Sequence, residues 1–516
     1  MPLIAELRSE ALALVPLGAF DRVVVDAETW RRAVLGVASG KADLAALWAE
    51  PGVVHMAVAA APLADADVGA VGPASDGPAL LVLSLAAEGG RFPSVGVTHP
   101  AALRPERAIR DLYGLVPDGC PDARGWLDHG RWGLRAPLGA ATPDAAAGDT
   151  YPFLPAEGPP MHQIPVGPVH AGIIEPGHFR FTANGEIVVR LEERLGYVHK
   201  GIEGLLAGAP LDRAARLAGR VSGDSTVAYA IAFARAVEAA AGVAVPERAH
   251  WLRGVMAELE RLANHLGDVG AICNDAAFAL MLAHCGMLRE KVLRAADTAF
   301  GHRLMMDRVV PGGVATDLTA AGRSAILDLV ATIERDFPPL ARLYDNSTSL
   351  LDRTVSTGRL SGRLASMFGA GGPVGRASGR RVDARARPGY PPYDRIDVAI
   401  ARLEGGDVDA RIRLRMEEIT ISLGLVRALL DRLPDGPIAV AVPARAGEGL
   451  AVAEGFRGDV LAWVRLDGAG TVARAHLRDP SVFQWPLLEA AIDGNIVADF
   501  PLINKSFNGS YSGHDL

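Results

Sequence analysis

Pro246-Glu-Arg-Ala-His-Trp-Leu-Arg-Gly-Val-Met-Ala-Glu-Leu-Glu-Arg-Leu-Ala-Asn-His-Leu266 decides the architecture of most of the chain. A proline opens the segment with the φ that a first helical turn needs. Leu252, Val255, Met256, Leu259, Leu262, Ala263 and Leu266 then fall on one stripe at 100° per residue. This is an amphipathic helix whose apolar face must be covered by a second layer. Glu258, Arg261 and His265 share the opposite side and read as a solvated face, with an i,i+3 ion pair worth about a few tenths of a kcal/mol.

Toward the C-terminus the same period predicts helices over 276–300, 320–345 and 409–432, the last stopped by Pro434 and Gly436. A hairpin is expected around Asp467-Gly468, from Val460–Leu466 and Thr471–Leu477, before a final helix near 486–492. Toward the N-terminus, strands over 179–182 and 187–191 flank Asn184-Gly185, a strong hairpin turn. Residues 136–160 are rich in Ala, Gly and Pro and read as an extended connector. Before it, the strand-length apolar run Leu80–Leu85 and a helical charge pattern over 105–113 mark an α+β unit. The fold class is thus α+β: a unit over 1–135, a connector over 136–160, and a large mainly helical domain with small hairpins over 161–516.

Composition narrows the function. With 516 residues, 49% apolar and 22% charged, the chain can bury large cores, and its net charge of −8 argues against a nucleic-acid binder. Its long apolar runs, such as 276–288, fall short of the ~18 to 20 residues that a bilayer requires. Glu6, Arg8 and Glu10 interrupt the first apolar stretch, so a secretory signal is not expected and a cytoplasmic location is. Cys120, Cys273 and Cys285 are too few for a disulfide framework or a four-thiolate cage, and the latter two read as structural.

Chemistry-bearing residues crowd into two stretches. His162, His170, His178 and His199, with Glu175 and Glu203, lie within about forty residues, but Gly167, Pro168, Gly172 and Gly177 break the helical spacing that a metal site uses, so a loop without metal is expected. Between Arg376 and Arg395, six arginines and two aspartates follow a glycine-rich run ending at Gly375. No Walker lysine or dinucleotide fingerprint accompanies it, which leaves a packed Arg network or a surface for an acidic partner. Pro388, Pro391 and Pro392 favour the surface.

Glu106-Arg-Ala-Ile-Arg-Asp111-Leu-Tyr-Gly114 with Gly119-Cys-Pro121-Asp122 resembles the C-type subunit of bacterial NADH:quinone oxidoreductase, complex I. Gly167-Pro-Val-His170, Gly196-Tyr-Val-His199-Lys-Gly-Ile-Glu203, Pro311-Gly-Gly313, Arg376-Ala-Ser-Gly379 with Asp383, and Arg415-Met-Glu417-Glu resemble the D-type subunit of the same enzyme. The wording of 162–203 is closer still to the large subunit of membrane-bound [NiFe] hydrogenases of the hydrogenase-4 and formate hydrogenlyase type, which fuse both parts. The resemblance implies a peripheral subunit on the cytoplasmic face of a membrane complex. A small partner subunit would hold a [4Fe-4S] cluster, integral membrane antiporter-like subunits would anchor the complex, and NAD(H) would bind only through other subunits.

In that family two Cys-x-x-Cys pairs hold nickel and iron. Anchoring on Arg216 and Tyr229 puts Ala218 and Val221 in the first pair's places; a shifted register puts Ser222 and Ser225 there. Ser510 and Gly513 take the second pair's places. Hydroxyl groups are too weakly acidic and too hard to replace these thiolates, so no metal is expected in this chain. Quinone is implied by the resemblance, yet the family's His and Tyr donors fall at Ile174 and Gly219. His170, His178 and Asp224 are expected near the vacated centre, Glu203 as a proton-relay carboxylate beside His199, and Arg376 and Asp383 on the side facing the small subunit. A non-redox scaffold coupled to an ion-translocating membrane arm is the alternative.

Overall fold

A computed structural model describes residues 3–60, 80–143, 151–169 and 175–516. The N-terminal unit is built on a five-stranded sheet. The edge strand Ala13–Pro16 pairs with Asp21–Val24, which runs parallel to Leu80–Ala86, and Val53–Ala60 and Ala42–Glu50 follow antiparallel. Leu80–Ala86 is apolar on both faces because it is covered on both. The helix Ala27–Ala38 is capped by Asp26, whose carboxylate accepts from Thr29 N at 2.8 Å. The charged helix spans Leu103–Tyr113 and is closed by Gly114 at φ 72°, the left-handed position that glycine fills without strain.

The hairpin at Asn184-Gly185 forms from Gly177–Asn184 and Ile187–Arg194. A third strand, Met161–Val169, joins it, where the glycines and prolines predict a loop. Pro165 and Pro168 are tolerated because this strand lies at the sheet edge, and the register shifts between Val166 and Val169. The second hairpin, Gly458–Leu466 with Thr471–Arg478, extends to Gly447–Gly455, and the helix Thr226–Ala241 lies across it.

The helix predicted over 246–266 runs from Glu247 to Asp275 and is central. It packs against Ala279–Phe300 and Val408–Asp431, so both of its faces are covered. Glu258, Arg261 and His265 are therefore interior, at 0%, 1% and 0% exposure, and the solvated-face expectation is corrected. A helix wheel shows polarity, not what lies opposite. Among the described residues no helix is long and apolar enough to cross a membrane.

The connector is tied down at its described ends. Leu134–Arg135 pairs with Thr142–Pro143, and the Tyr151 ring receives the guanidinium groups of Arg124 and Arg194 at 4.9 and 4.5 Å. One hydrophobic core runs through both units, and ion pairs join them: Arg22 to Glu448, Arg104 to Glu193 and Glu489, and Arg380 to Asp43.

Candidate functional site

Two i,i+3 segments converge where the family resemblance locates a bimetallic centre. Ser222 and Ser225 precede the helix Thr226–Ala241, and Ser510 caps the terminal helix Tyr511–Asp515. The Oγ atoms of Ser222 and Ser510 lie 2.9 Å apart, both buried. Ser222 donates to Asp224 at 2.8 Å, and Ser510 accepts from Gly513 N at 2.9 Å. The shifted register is thus the one the fold supports. Ala218 and Val221 are corrected to core positions, fully buried at and just beyond the end of the helix Leu211–Ala218.

A guanidinium stands in this space. Arg457, in the tight turn between Gly455 and Gly458, donates to both oxygens of Asp224 at 2.8 and 2.6 Å, to Ser225 Oγ at 3.1 Å and to Asn508 O at 2.5 Å. Burial works to raise the Asp224 carboxyl, but the Arg457 charge and its hydrogen bonds outweigh it and hold the group at about 2. A Cβ on Gly513 would meet Asp479 Oδ2 at 2.5 Å, and Asp479 is itself held by Tyr229 Oη at 2.7 Å and Ser481 N at 2.8 Å. Hydroxyls, a glycine without room for a side chain and a fixed cation do not fit a nickel-iron centre, which needs four soft anionic thiolates. Glu260, 7% exposed, takes the N–H groups of Val227 and Ala228 at 2.7 and 3.1 Å. Burial pushes its carboxyl up to about 8 against those bonds.

Arg376 and Asp383 do not face a partner. They are 0% and 4% exposed, inside a network in which Arg376 reaches Glu418 at 2.7 Å, Glu454 at 2.8 Å and Asp383 at 3.4 Å. Arg385 links Asp383 to Glu258 at 2.7 and 2.9 Å, and His265 Nε2 meets Glu418 at 2.6 Å. Three arginines of the arginine-rich stretch, Arg376, Arg380 and Arg385, form a packed internal network because each finds a carboxylate from another element, whereas Arg381, Arg387 and Arg395 are exposed. Four carboxylates, Glu258, Asp383, Glu418 and Glu454, face three guanidinium groups, Arg261, Arg376 and Arg385. Burial, aided by Asp383, raises Glu454 to about 7, and the Arg376 charge overcomes burial to keep Glu418 well below the usual carboxylate range.

Glu203 lies in the first turn of the short helix Ile202–Leu206 and bonds to His476 Nδ1 at 2.5 Å and Tyr113 Oη at 3.1 Å. Its imidazole partner is therefore His476. His199 bonds instead to Asp515 O at 2.8 Å and stacks on Trp132 at 5.1 Å. His178 bonds through Nδ1 to Gly167 O at 2.9 Å, and burial lowers its pKa. His178 and His199 line an open cleft of about 1740 Å³ with Arg124, Arg131, Tyr151 and Tyr197. His170 and Ile174 lie outside the described residues. The thiols of Cys273 and Cys285 are buried and pushed up to about 12, the state of inert core cysteines. Arg457, Asp479 and His476 carry no signal in the sequence that marks them as site residues, whereas Glu175, which accepts from Ser512 N at 2.8 Å, lies in the histidine-rich stretch and Tyr113 in the Glu106–Gly114 motif.

Comparison with known proteins agrees with this architecture. Residues 275–446 match the family model for the respiratory-chain NADH dehydrogenase 49 Kd subunit. Formate hydrogenlyase subunit 5 of Escherichia coli is 33% identical over 442 residues, 82% of this chain and 77% of that one. The D-type subunit of NADH-quinone oxidoreductase from Dehalococcoides mccartyi is 31% identical over 348 residues, 66% and 95% of the two chains. A chain from the structure of the membrane-bound sulfane sulfur reductase, an archaeal respiratory membrane complex, superposes with a TM-score of 0.65 at 26% identity, covering 69% of this chain and 98% of that one. The chain belongs to the large-subunit family shared by group 4 membrane-bound hydrogenases and complex I. Its similarity to the hydrogenlyase subunit reaches further along the chain than its similarity to the NADH-quinone oxidoreductase subunit.

Proposed function

We propose that this chain is a peripheral large subunit of a membrane-bound oxidoreductase complex that works without a nickel-iron centre. In this reading it accepts electrons from a [4Fe-4S] cluster of a small partner subunit and delivers them to an acceptor other than the proton pair of hydrogen evolution. Membrane subunits anchor it, NAD(H) enters only through other chains, and the cytoplasmic face is its side of the membrane. The observation that carries the reading is the Ser222–Ser510 hydroxyl contact, with the Arg457–Asp224 pair beside it, in a scaffold otherwise kept intact.

A quinone is a candidate acceptor by family. Gly219 offers it no donor, so the chain's own contribution would come from elsewhere. Glu203 is the proton-handling carboxylate in this proposal: it sits between an imidazole and a phenol, so a proton can pass along Tyr113, Glu203 and His476 without a gap. The alternative, a scaffold that couples conformational change to an ion-translocating arm, is favoured by the same Arg457–Asp224 pair, which needs no electron.

The two are separated by purifying the intact complex, assaying bound quinone, and following the small subunit's cluster by electron paramagnetic resonance as candidate donors are added. A cluster that is reduced and then reoxidised by an acceptor supports the redox reading. A small subunit without cluster cysteines, or a cluster that no acceptor reoxidises, supports the scaffold.

A further inference from the structure

Between the N-terminal unit and the large domain lies a second cavity, about 260 Å³ in volume. Leu47, Ile109, Leu112, Leu138, Val482 and Phe483 supply apolar walls, and Glu203 and His476 stand among the lining side chains. Leu127 and His199 line both this cavity and the open cleft, so the two adjoin and a ligand has a route in.

Three buried polar atoms of the lining residues have no partner, one of them Nε of Arg478, whose terminal nitrogens are held by Asp459. His476 is 9% exposed and its Nε2 bonds to nothing; Trp48, 3% exposed, leaves its Nε1 unpaired. The Trp48 ring stacks on His476 at 5.1 Å and 4°, which fixes the imidazole plane. Buried polar atoms are rarely left unsatisfied, and an orphan at a cavity wall marks where a ligand atom belongs. The charges around it are already matched. Arg104 is paired with Glu193, Arg478 with Asp459 and His514 with Asp515, and Glu203 is held by His476 and Tyr113. A charged ligand would find no counter-ion here.

The orphan atom of His476 has a defined polarity. Its Nδ1 faces the Glu203 carboxylate, and the tautomer that donates from Nδ1 to that carboxylate leaves Nε2 as an acceptor. The complementary group is a hydroxyl. An apolar cavity of about 150 Å³ takes benzene, so this larger one accommodates a ring with substituents, whereas a single water at Nε2 would leave most of the apolar volume unfilled.

We propose that this interdomain cavity is a binding site for a small, neutral, largely apolar hydroxyl compound of the phenol class, its hydroxyl donating to His476 Nε2. The site stands whether or not the chain passes electrons. The test is isothermal titration calorimetry on the full chain in its purified complex, with p-cresol and toluene as probes. Saturable binding of one p-cresol per chain is expected, with toluene about tenfold weaker for want of the hydrogen bond. Leu112→Trp should fill the cavity and abolish binding of both, with Ala108→Phe as a second filling variant should the first fail to accumulate. His476→Phe should keep toluene binding and erase the preference for p-cresol. Absence of saturable p-cresol binding, undiminished binding in a soluble filling variant, or toluene binding as tightly as p-cresol in the parent chain would each overturn the proposal.

Discussion

Gly513→Ala puts the smallest possible side chain where the family's last metal ligand would stand. Its Cβ would sit 2.5 Å from Asp479 Oδ2, 2.6 Å from Cγ and 2.9 Å from Ser510 Oγ. Asp479 is 1% exposed and cannot withdraw without loosening its bonds from Tyr229 Oη at 2.7 Å and Ser481 N at 2.8 Å. Overpacking costs about 1–3 kcal/mol, and a strained charge-assisted hydrogen bond adds about 1–2 kcal/mol, so a loss on the order of 2–4 kcal/mol is expected. Urea denaturation followed by tryptophan fluorescence reads it locally, because Trp485 Nε1 donates to Ser510 O at 3.1 Å. The decisive comparison is a double-mutant cycle with Asp479→Ala. Once the carboxylate is gone, Gly513→Ala should cost little, giving a coupling on the order of 2 kcal/mol. A Gly513→Ala chain within about 0.5 kcal/mol of the parent, or an equal cost in both backgrounds, would refute the reasoning. The same geometry predicts that restoring cysteines at 222, 225, 510 and 513 does not by itself rebuild a metal cage.

Three further outcomes follow from the interior. Arg376→Met strips a cation from Glu418, Glu454 and Asp383 at once and should destabilise the chain by about 3–5 kcal/mol, seen as a lowered urea midpoint; a parent-like midpoint would mean that the network carries no net charge to balance. Glu260 is raised to about 8, so the folded chain binds its proton more tightly than the unfolded chain does. Its contribution is full below about pH 4.5 and is lost as pH rises toward 8. Glu260→Gln should therefore flatten the fall in stability between pH 6 and 8, and an unchanged pH profile would remove Glu260 as its source. Glu203→Gln, in a complex that still assembles, should depress proton-coupled turnover by about tenfold or more, and an unaltered rate would take Glu203 out of the proton path.

The elements whose period is set by one buried face are legible in the sequence. The helix Ala320–Asp345 and the hairpin around Asn184-Gly185 stand at their expected places, because caps and turn residues fix their ends locally. Burial of polar groups is not legible. Glu258, Arg261 and His265 occupy a polar stripe that looks solvated until the helix Val408–Asp431 supplies Glu418 and the hairpin at Gly455–Gly458 supplies the Glu454 carbonyl, each from more than 150 residues away. The vacated centre is half legible. Missing thiolates are visible in the sequence, but the choice between Val221 and Ser222 depends on which one touches Ser510, and Arg457 enters from a turn with no signature beyond its flanking glycines. Glu203 pairs with His476 and not with the expected His199, since proximity along the chain favours His199 while strand pairing delivers His476.

Metal analysis of the intact, anaerobically purified complex, with hydrogen evolution and uptake assayed on the same sample, bears most directly on the absence of a thiolate-held bimetallic centre. Nickel should be absent, with no hydrogen made or consumed and any iron accounted for by partner clusters. One nickel per chain together with hydrogenase activity would contradict the account.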